Sequence, residues 1–110
     1  MRQFQTSVLE RREPMANGFA TQPFECAWAS EAIFFVSLEG VEPPGATLAA
    51  VVQISPDGIR WIDEGTRVEG LSAPGEAFVR VAWFGGWLRL RFEVAGGGTV
   101  AATIRLALKE

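Results

Sequence analysis

The residues able to do chemistry in this chain are few, and their types exclude most of it. There is no His, no Tyr and one Cys, and the ten basic side chains are Arg apart from Lys109. A His general base, a His-ligated metal and a Ser-His-Asp triad are therefore out of reach. Cys26 has no imidazole to activate it, and the apolar stretch around it suits a small buried hydrophobe better than a nucleophile. Asp63 and Glu64 are adjacent, so on a strand they point to opposite faces and do not make a glycosidase pair. A calcium role for Asp57 lacks the further oxygen ligands it would need. Gly96-Gly97-Gly98 leads into no helical pattern and is no phosphate loop. The expectation is a protein that is not an enzyme and needs no cofactor or metal.

Recognition chemistry remains. Trp83-Phe84-Gly85-Gly86-Trp87 places two Trp and a Phe around Gly85-Gly86, which reads as a two-residue hairpin turn, with Arg89 and Arg91 close behind. Aromatic rings beside guanidinium groups are the typical composition of an interface hot spot, and Arg pairs carboxylates bidentately. The same rings, Trp83, Phe84 and Trp87, could stack on a sugar. A second candidate contact is the amino-terminal stretch carrying Phe4 and Val8, a short strand that could add to a sheet edge of its own domain or of a neighbour. The Arg set, with Glu69, Glu76 and Glu93 as candidate partners, reads as a salt-bridged face or an inter-subunit network.

The elements that must position these residues are strands. Turn signals recur along the chain at Asn17-Gly18, Gln22-Pro23, Gly40 to Gly45, Pro56-Asp57-Gly58, Gly70 to Gly75, Gly85-Gly86 and Gly96 to Gly98. The runs between them are rich in Val, Ile, Phe, Trp, Leu and Thr, the pattern of an all-β sandwich or barrel. Leu88, Leu90, Phe92 and Val94 form one face of a strand, and Val100, Ala102, Ile104, Leu106 and Leu108 one face of the next. The three glycines between them make these two read as a hairpin. In residues 77–83 Val79, Val81 and Trp83 share a face opposite Phe78, Arg80 and Ala82, and neither face is polar throughout. Thr47 to Ser55 and Ile59 to Asp63 read as a hairpin around Pro56-Asp57-Gly58. Further strands are expected at 3–9, 24–29 and 32–39. The fold class is a single antiparallel β-sandwich, jelly-roll or immunoglobulin-like, of seven or eight strands. Residues 1–22 read as an arm and its connection, and 23–110 as the sandwich.

Two stretches carry a resemblance. The hairpin Ser55-Pro-Asp-Gly-Ile-Arg-Trp61, followed later by Trp87-Leu-Arg-Leu-Arg91, a glycine-rich turn and Gly98-Thr-Val-Ala-Ala-Thr-Ile104, is similar to small β-sandwich structural proteins of tailed-phage virions and phage-like particles. The likeness spans roughly residues 47 to 108. The hairpin also resembles discoidin-type binding domains, although the chain is shorter and lacks their paired cysteines. The virion-like resemblance implies a structural role.

Composition agrees with burial against other molecules. The chain of 110 residues is 48% hydrophobic before its 12 Gly are counted, where roughly 45–50% with glycine is usual. A domain of this size buries only about two-thirds of its unfolded surface, so some apolar surface is left to cover. The net charge of −3 gives no footprint for nucleic acid, and no apolar run is long enough for a bilayer. Met1 to Pro14 shows no signal-peptide core. The sequence thus reads as a structural protein made in a cytoplasm without a signal peptide. It would be a homo-oligomer or part of a larger protein shell, in a virion or phage-like particle. The second reading is a carbohydrate- or surface-binding module.

Overall fold

The computed structural model describes residues 4–10 and 14–110, with Thr6 the one side chain described in the first stretch. The strands are β1 (Phe4–Glu10), β2 (Pro14–Ala16), β3 (Phe24–Glu25), β4 (Glu31–Glu42), β5 (Thr47–Ser55), β6 (Ile62–Leu71), β7 (Gly75–Ala82), β8 (Trp87–Ala95) and β9 (Thr99–Lys109). They form two antiparallel sheets, ordered β1-β9-β4-β7, with β2 also on β9, and β3-β8-β5-β6. β4 runs along the whole of β9, so β1 and β2 share the opposite edge of β9, β1 along Ile104–Lys109 and β2 along Thr99–Ala101, and take one strand position together. Counted so, there are eight strand positions, and their order is that of a double-sheet jelly roll. The sandwich expected from sequence is therefore present, in the first of its two expected forms.

The period-2 alternation builds the core. Leu88, Leu90, Phe92 and Val94 on β8 face Val100, Ala102, Ile104, Leu106 and Leu108 on β9, and all are buried. Phe34, Val36 and Leu38 of β4 and Leu48, Ala50 and Val52 of β5 complete the layer. The two strands expected as a hairpin are not one: β8 pairs with β3 and β5, β9 with β1, β2 and β4. Two strands that face each other across a core show the same alternation as two that lie side by side. The glycines between them carry the chain from one sheet to the other. Gly98 passes so close to the Glu42 carbonyl and Pro43 that a Cβ there would collide with both.

The segment expected as a flexible connection is built into the sandwich over its described residues. Met15 of β2 is in the core. At Asn17-Gly18 the chain leaves β9 and moves to the edge of β8. Gly18 N–H donates to Phe92 O at 2.9 Å, Thr21 N–H to Leu90 O at 2.9 Å, and Phe92 N–H to Phe19 O at 2.7 Å. The side chains of Asn17 and Thr21 accept the Val94 and Leu90 N–H groups, each at 3.0 Å. Residues 24–29, expected as a strand, keep two residues in β3 and then turn, with Ala29 N–H donating to Cys26 O at 3.0 Å.

Gly98→Ala is expected to lower stability by about 1–3 kcal/mol, as overpacking against fixed backbone does. Gly40→Ala, where an added Cβ meets nothing within 4 Å, is expected to stay within about 0.5 kcal/mol of wild type. Urea unfolding of both variants measures the difference.

Candidate interaction surface

The hairpin with the phage-like resemblance is a braced loop. Ser55 is buried at the end of β5. Its Oγ accepts the N–H groups of Asp57 at 3.2 Å and Gly58 at 2.8 Å and donates to Asp57 Oδ1 at 3.0 Å. That same carboxylate oxygen accepts Ile59 N–H at 2.9 Å and Arg60 N–H at 3.0 Å. These backbone donors hold the Asp57 carboxyl below its ordinary value of 3.8, with Ser55 adding to the effect. Gly58 (φ +79°) lies flat on the Trp87 ring: a Cβ there would sit 3.2 Å from two ring carbons. The Ser-Pro-Asp-Gly run is thus a seat for Trp87, and the carboxylate is occupied by the loop's own backbone.

Trp87 is half-buried on the outer face of β8, together with Arg89 and Arg91, as the alternation indicated. The guanidinium of Arg89 lies 4.3 Å over the Trp61 ring and donates from Nε to Gln53 Oε1 at 2.7 Å. Gln53 Nε2 donates to Asp63 Oδ1 at 2.8 Å. Arg91 Nη2 reaches Glu93 at 2.9 Å and Asp63 at 3.8 Å, and Arg67 bridges Glu93 at 2.7 Å and also binds Glu69. Hydrogen bonds from Arg67 and Arg91 hold the Glu93 carboxyl below its ordinary value. Partial burial, with Arg91 nearby, lowers the Arg89 value. The outer face of the second sheet is a polar network whose members pair within the chain. Glu69 and Glu93 belong to it. Glu76 does not: it sits on the first sheet, accepting the Ser37 hydroxyl at 2.7 Å.

Trp83 and Phe84 stand apart from this face. Gly85-Gly86 is not a hairpin turn, because β7 and β8 lie in different sheets. Trp83 therefore does not follow Val79 and Val81 into the core. It leaves the strand with φ +58° and is 99% exposed, a left-handed conformation that is unusual for a bulky residue. Phe84 packs half-buried against the core. With Ala29, Ser30, Glu31 and Ala82 they border a hollow of about 390 Å³. Glu31 and Ala82 also border a groove of about 620 Å³ on the outer face of the first sheet, with Ile33, Arg80, Ala107 and Lys109. Beyond it, Phe35 pairs across strands with Phe78, and these rings are 38% and 51% exposed. Sequence reasoning missed this apolar face. Its signal was the two-sided apolar character of residues 77–83, which reads as cover by another layer of the same chain. The side chains of Phe4 and Val8 lie outside those described. Their backbone belongs to β1, which pairs with β9 of its own chain.

Burial pushes the Cys26 thiol up to about 12, with Glu25 adding to the rise. Among the described residues no group of three His, Cys, Asp or Glu side chains could hold a metal ion.

Comparison with known proteins finds fold likeness alone. No family model and no curated protein matches the chain. Among solved structures it is similar to the SPBc2 prophage-derived protein YomS, with TM-score 0.63 and 9% identity over 100% of this chain and 96% of that one. It is similar to the PBSX exported protein XepA, with TM-score 0.69 and 8% identity over 94% of this chain and 36% of that one. It is also similar to the CBM36-1 domain of a multidomain xylanase from the hindgut metagenome of Trinervitermes trinervoides, with TM-score 0.55 and 11% identity over 94% of this chain and 96% of that one. The fold thus occurs in phage-derived proteins, in agreement with the resemblance seen in sequence, and in a carbohydrate-binding module.

Two predictions follow from the loop and the thiol. Asp57 is held below its ordinary value, so its contribution to stability is present above that value and is lost as pH falls through the lowered one. The gap in urea midpoint between wild type and Asp57→Asn is expected to be widest near neutrality and to close in strong acid. Cys26 is expected to resist a thiol-specific disulfide reagent in mildly alkaline buffer and to react on unfolding in guanidinium. Rapid labelling of the folded protein would contradict the burial described.

Proposed function

We propose that this chain is a non-enzymatic structural protein that assembles with copies of itself or decorates a larger virion-like or phage-like particle. The observation that carries the reading is an apolar strip on the outer face of the first sheet, where Phe35 and Phe78 are exposed beside Ile33 between flanking charges, with Trp83 projecting at its end. Exposed apolar surface of this kind marks contact sites, and a lone large aromatic at its margin fits a hot-spot anchor. The fold likeness to the prophage-derived YomS supports the particle context. Arg89 is engaged within the chain by Trp61 and Gln53 and Arg91 by Glu93 and Asp63, so Trp83, Phe35 and Phe78 are the residues assigned to the contact.

A second reading, a glycan-binding module, draws on the hollow beside Trp83 and Phe84 and on the fold shared with the CBM36-1 domain. It assigns Trp83 as the stacking platform.

Light scattering at several concentrations is expected to give a mass above the 12.0 kDa chain. Phe35→Ser and Trp83→Ala are expected to shift that mass toward the monomer while leaving the unfolding midpoint nearly unchanged. A monomer at all concentrations would overturn self-assembly. A tryptophan fluorescence change on adding a xylo-oligosaccharide, abolished by Trp83→Ala, would favour the glycan reading.

A further inference from the structure

The two sheets have four edges, and three are blunted in ways that stop strands from pairing with strangers. The β1/β2 edge has a register shift between Val8 and Glu10, and its β2 part is three residues long and begins with Pro14. The edge at β3 offers two residues. β6 shifts register twice against β5 and carries Asp63, Glu64, Arg67 and Glu69. β7 is different. Its eight residues pair with β4 without a shift, from Leu38↔Gly75 to Glu31↔Ala82, and contain no Pro and no Lys.

The sequence of β7 is its own complement. Glu76, Phe78 and Arg80 alternate on its outer face. Antiparallel pairing of two such strands about a twofold axis at Phe78 places Glu76 of each copy opposite Arg80 of the other. It places Phe78 opposite Phe78. On the inner face Ala77 meets Val79 and Gly75 meets Val81. Directly opposed aromatic and opposite-charge pairs are the contacts that stabilise antiparallel strands. A twofold contact of this kind closes on itself. In the single chain Arg80 folds back over its own Phe78 ring, 5.4 Å from the centroid, so the cation and the ring that a second copy would meet are already side by side.

The geometry points to β7 as a homodimerisation edge, along which a second copy of this chain extends the first sheet by antiparallel β7–β7 pairing centred on Phe78. This deepens the proposed assembly role, on which it rests, by naming the partner and the strand.

Charge exchange tests it, because a twofold register makes exchange reversible. Glu76→Arg puts like charges opposite each other at both ends of the contact, and so does Arg80→Glu. Each single variant is expected to weaken self-association about tenfold or more and to run near 12.0 kDa in sedimentation velocity. A one-to-one mixture of the two is expected to regain twice the chain mass, and the double variant Glu76→Arg/Arg80→Glu to associate like wild type. Both positions are exposed, and an unchanged unfolding midpoint for each variant confirms an intact fold. Single variants that associate as well as wild type would overturn the β7 register while leaving assembly through another surface standing. Failure of the mixture or of the double variant to reassociate would also overturn it, as would a wild type that stays monomeric.

Discussion

The constraint on which the rest of this molecule depends is the contact between two chain crossings at one end of the sandwich. The central strands are β4 and β9 in one sheet and β5 and β8 in the other. The link from β4 to β5 and the link from β8 to β9 each cross between the sheets, and they touch. Gly98 lies against the Glu42 carbonyl and Pro43, and a Cβ on Gly96 would come within 3.1 Å of the Ala46 Cα. Side chains at these glycines would push the links apart, and with them the facing rows of Leu88, Leu90 and Phe92 and of Ile104, Leu106 and Leu108. Buried apolar area, at about 25 cal/mol per Å², supplies the driving force. The approach of the two links decides that it is collected between two sheets and not within one.

With that end fixed, the opposite end is free to differ. There the 56–61 loop, the turn after β3 and the segment 83–86 meet, and the chain holds them by different means. The 56–61 loop is bonded to itself through Ser55 and Asp57 and rests on Trp87. The turn after β3 is tied by Cys26 N–H to Gly86 O at 2.7 Å and by Ser30 N–H to Lys109 O at 2.9 Å. Trp83 is carried on this frame, outside it. A left-handed backbone at a bulky residue persists where its surroundings hold it, and here Ala82 in β7 and half-buried Phe84 hold it on both sides. A fully exposed indole does nothing for the monomer's core, which is the physical ground for assigning it to a contact with something else.

The inner faces of β4, β5, β8 and β9 were legible in the sequence because one-sided burial writes a period of two, and the Pro56-Asp57-Gly58 loop was legible because turn chemistry is local. Sheet membership was not. Facing strands and neighbouring strands produce the same alternation, so Gly96 to Gly98 and Gly85-Gly86 both read as hairpin turns when both are crossings. The segment 14–21 reads as part of a connection, set among the turn signals Pro14, Asn17-Gly18 and Gln22-Pro23. What seats it is mostly backbone hydrogen bonding to β8 and β9, and backbone groups leave no mark on composition. Trp87, Arg89 and Arg91 were placed together correctly. Trp83 was separated from them by the crossing, and Phe35 and Phe78 went unnoticed because a strand apolar on both faces looks like one covered on both faces.

The two outer faces differ in how their polar groups are paired, and this bears on the assembly proposed above. On the second sheet the chain from Trp61 through Arg89, Gln53, Asp63, Arg91 and Glu93 to Arg67 satisfies its charges within the molecule. A partner binding there would have to break such pairs and replace each one, and exposed pairs worth about 0–1 kcal/mol still leave an unpaired charge behind when they are broken under cover. The first sheet presents Ile33, Phe35 and Phe78 as an apolar strip, flanked by Glu31, Glu76, Arg80, Arg105 and Lys109. Covering it displaces water from the apolar strip, and the charges beside it need partners across the contact, which Glu76 and Arg80 of a second copy would supply in the register proposed above. The second sheet's polar groups are paired within the chain, and the first sheet keeps Phe35 and Phe78 open between charges that a second copy can pair, which is the arrangement the proposed association uses.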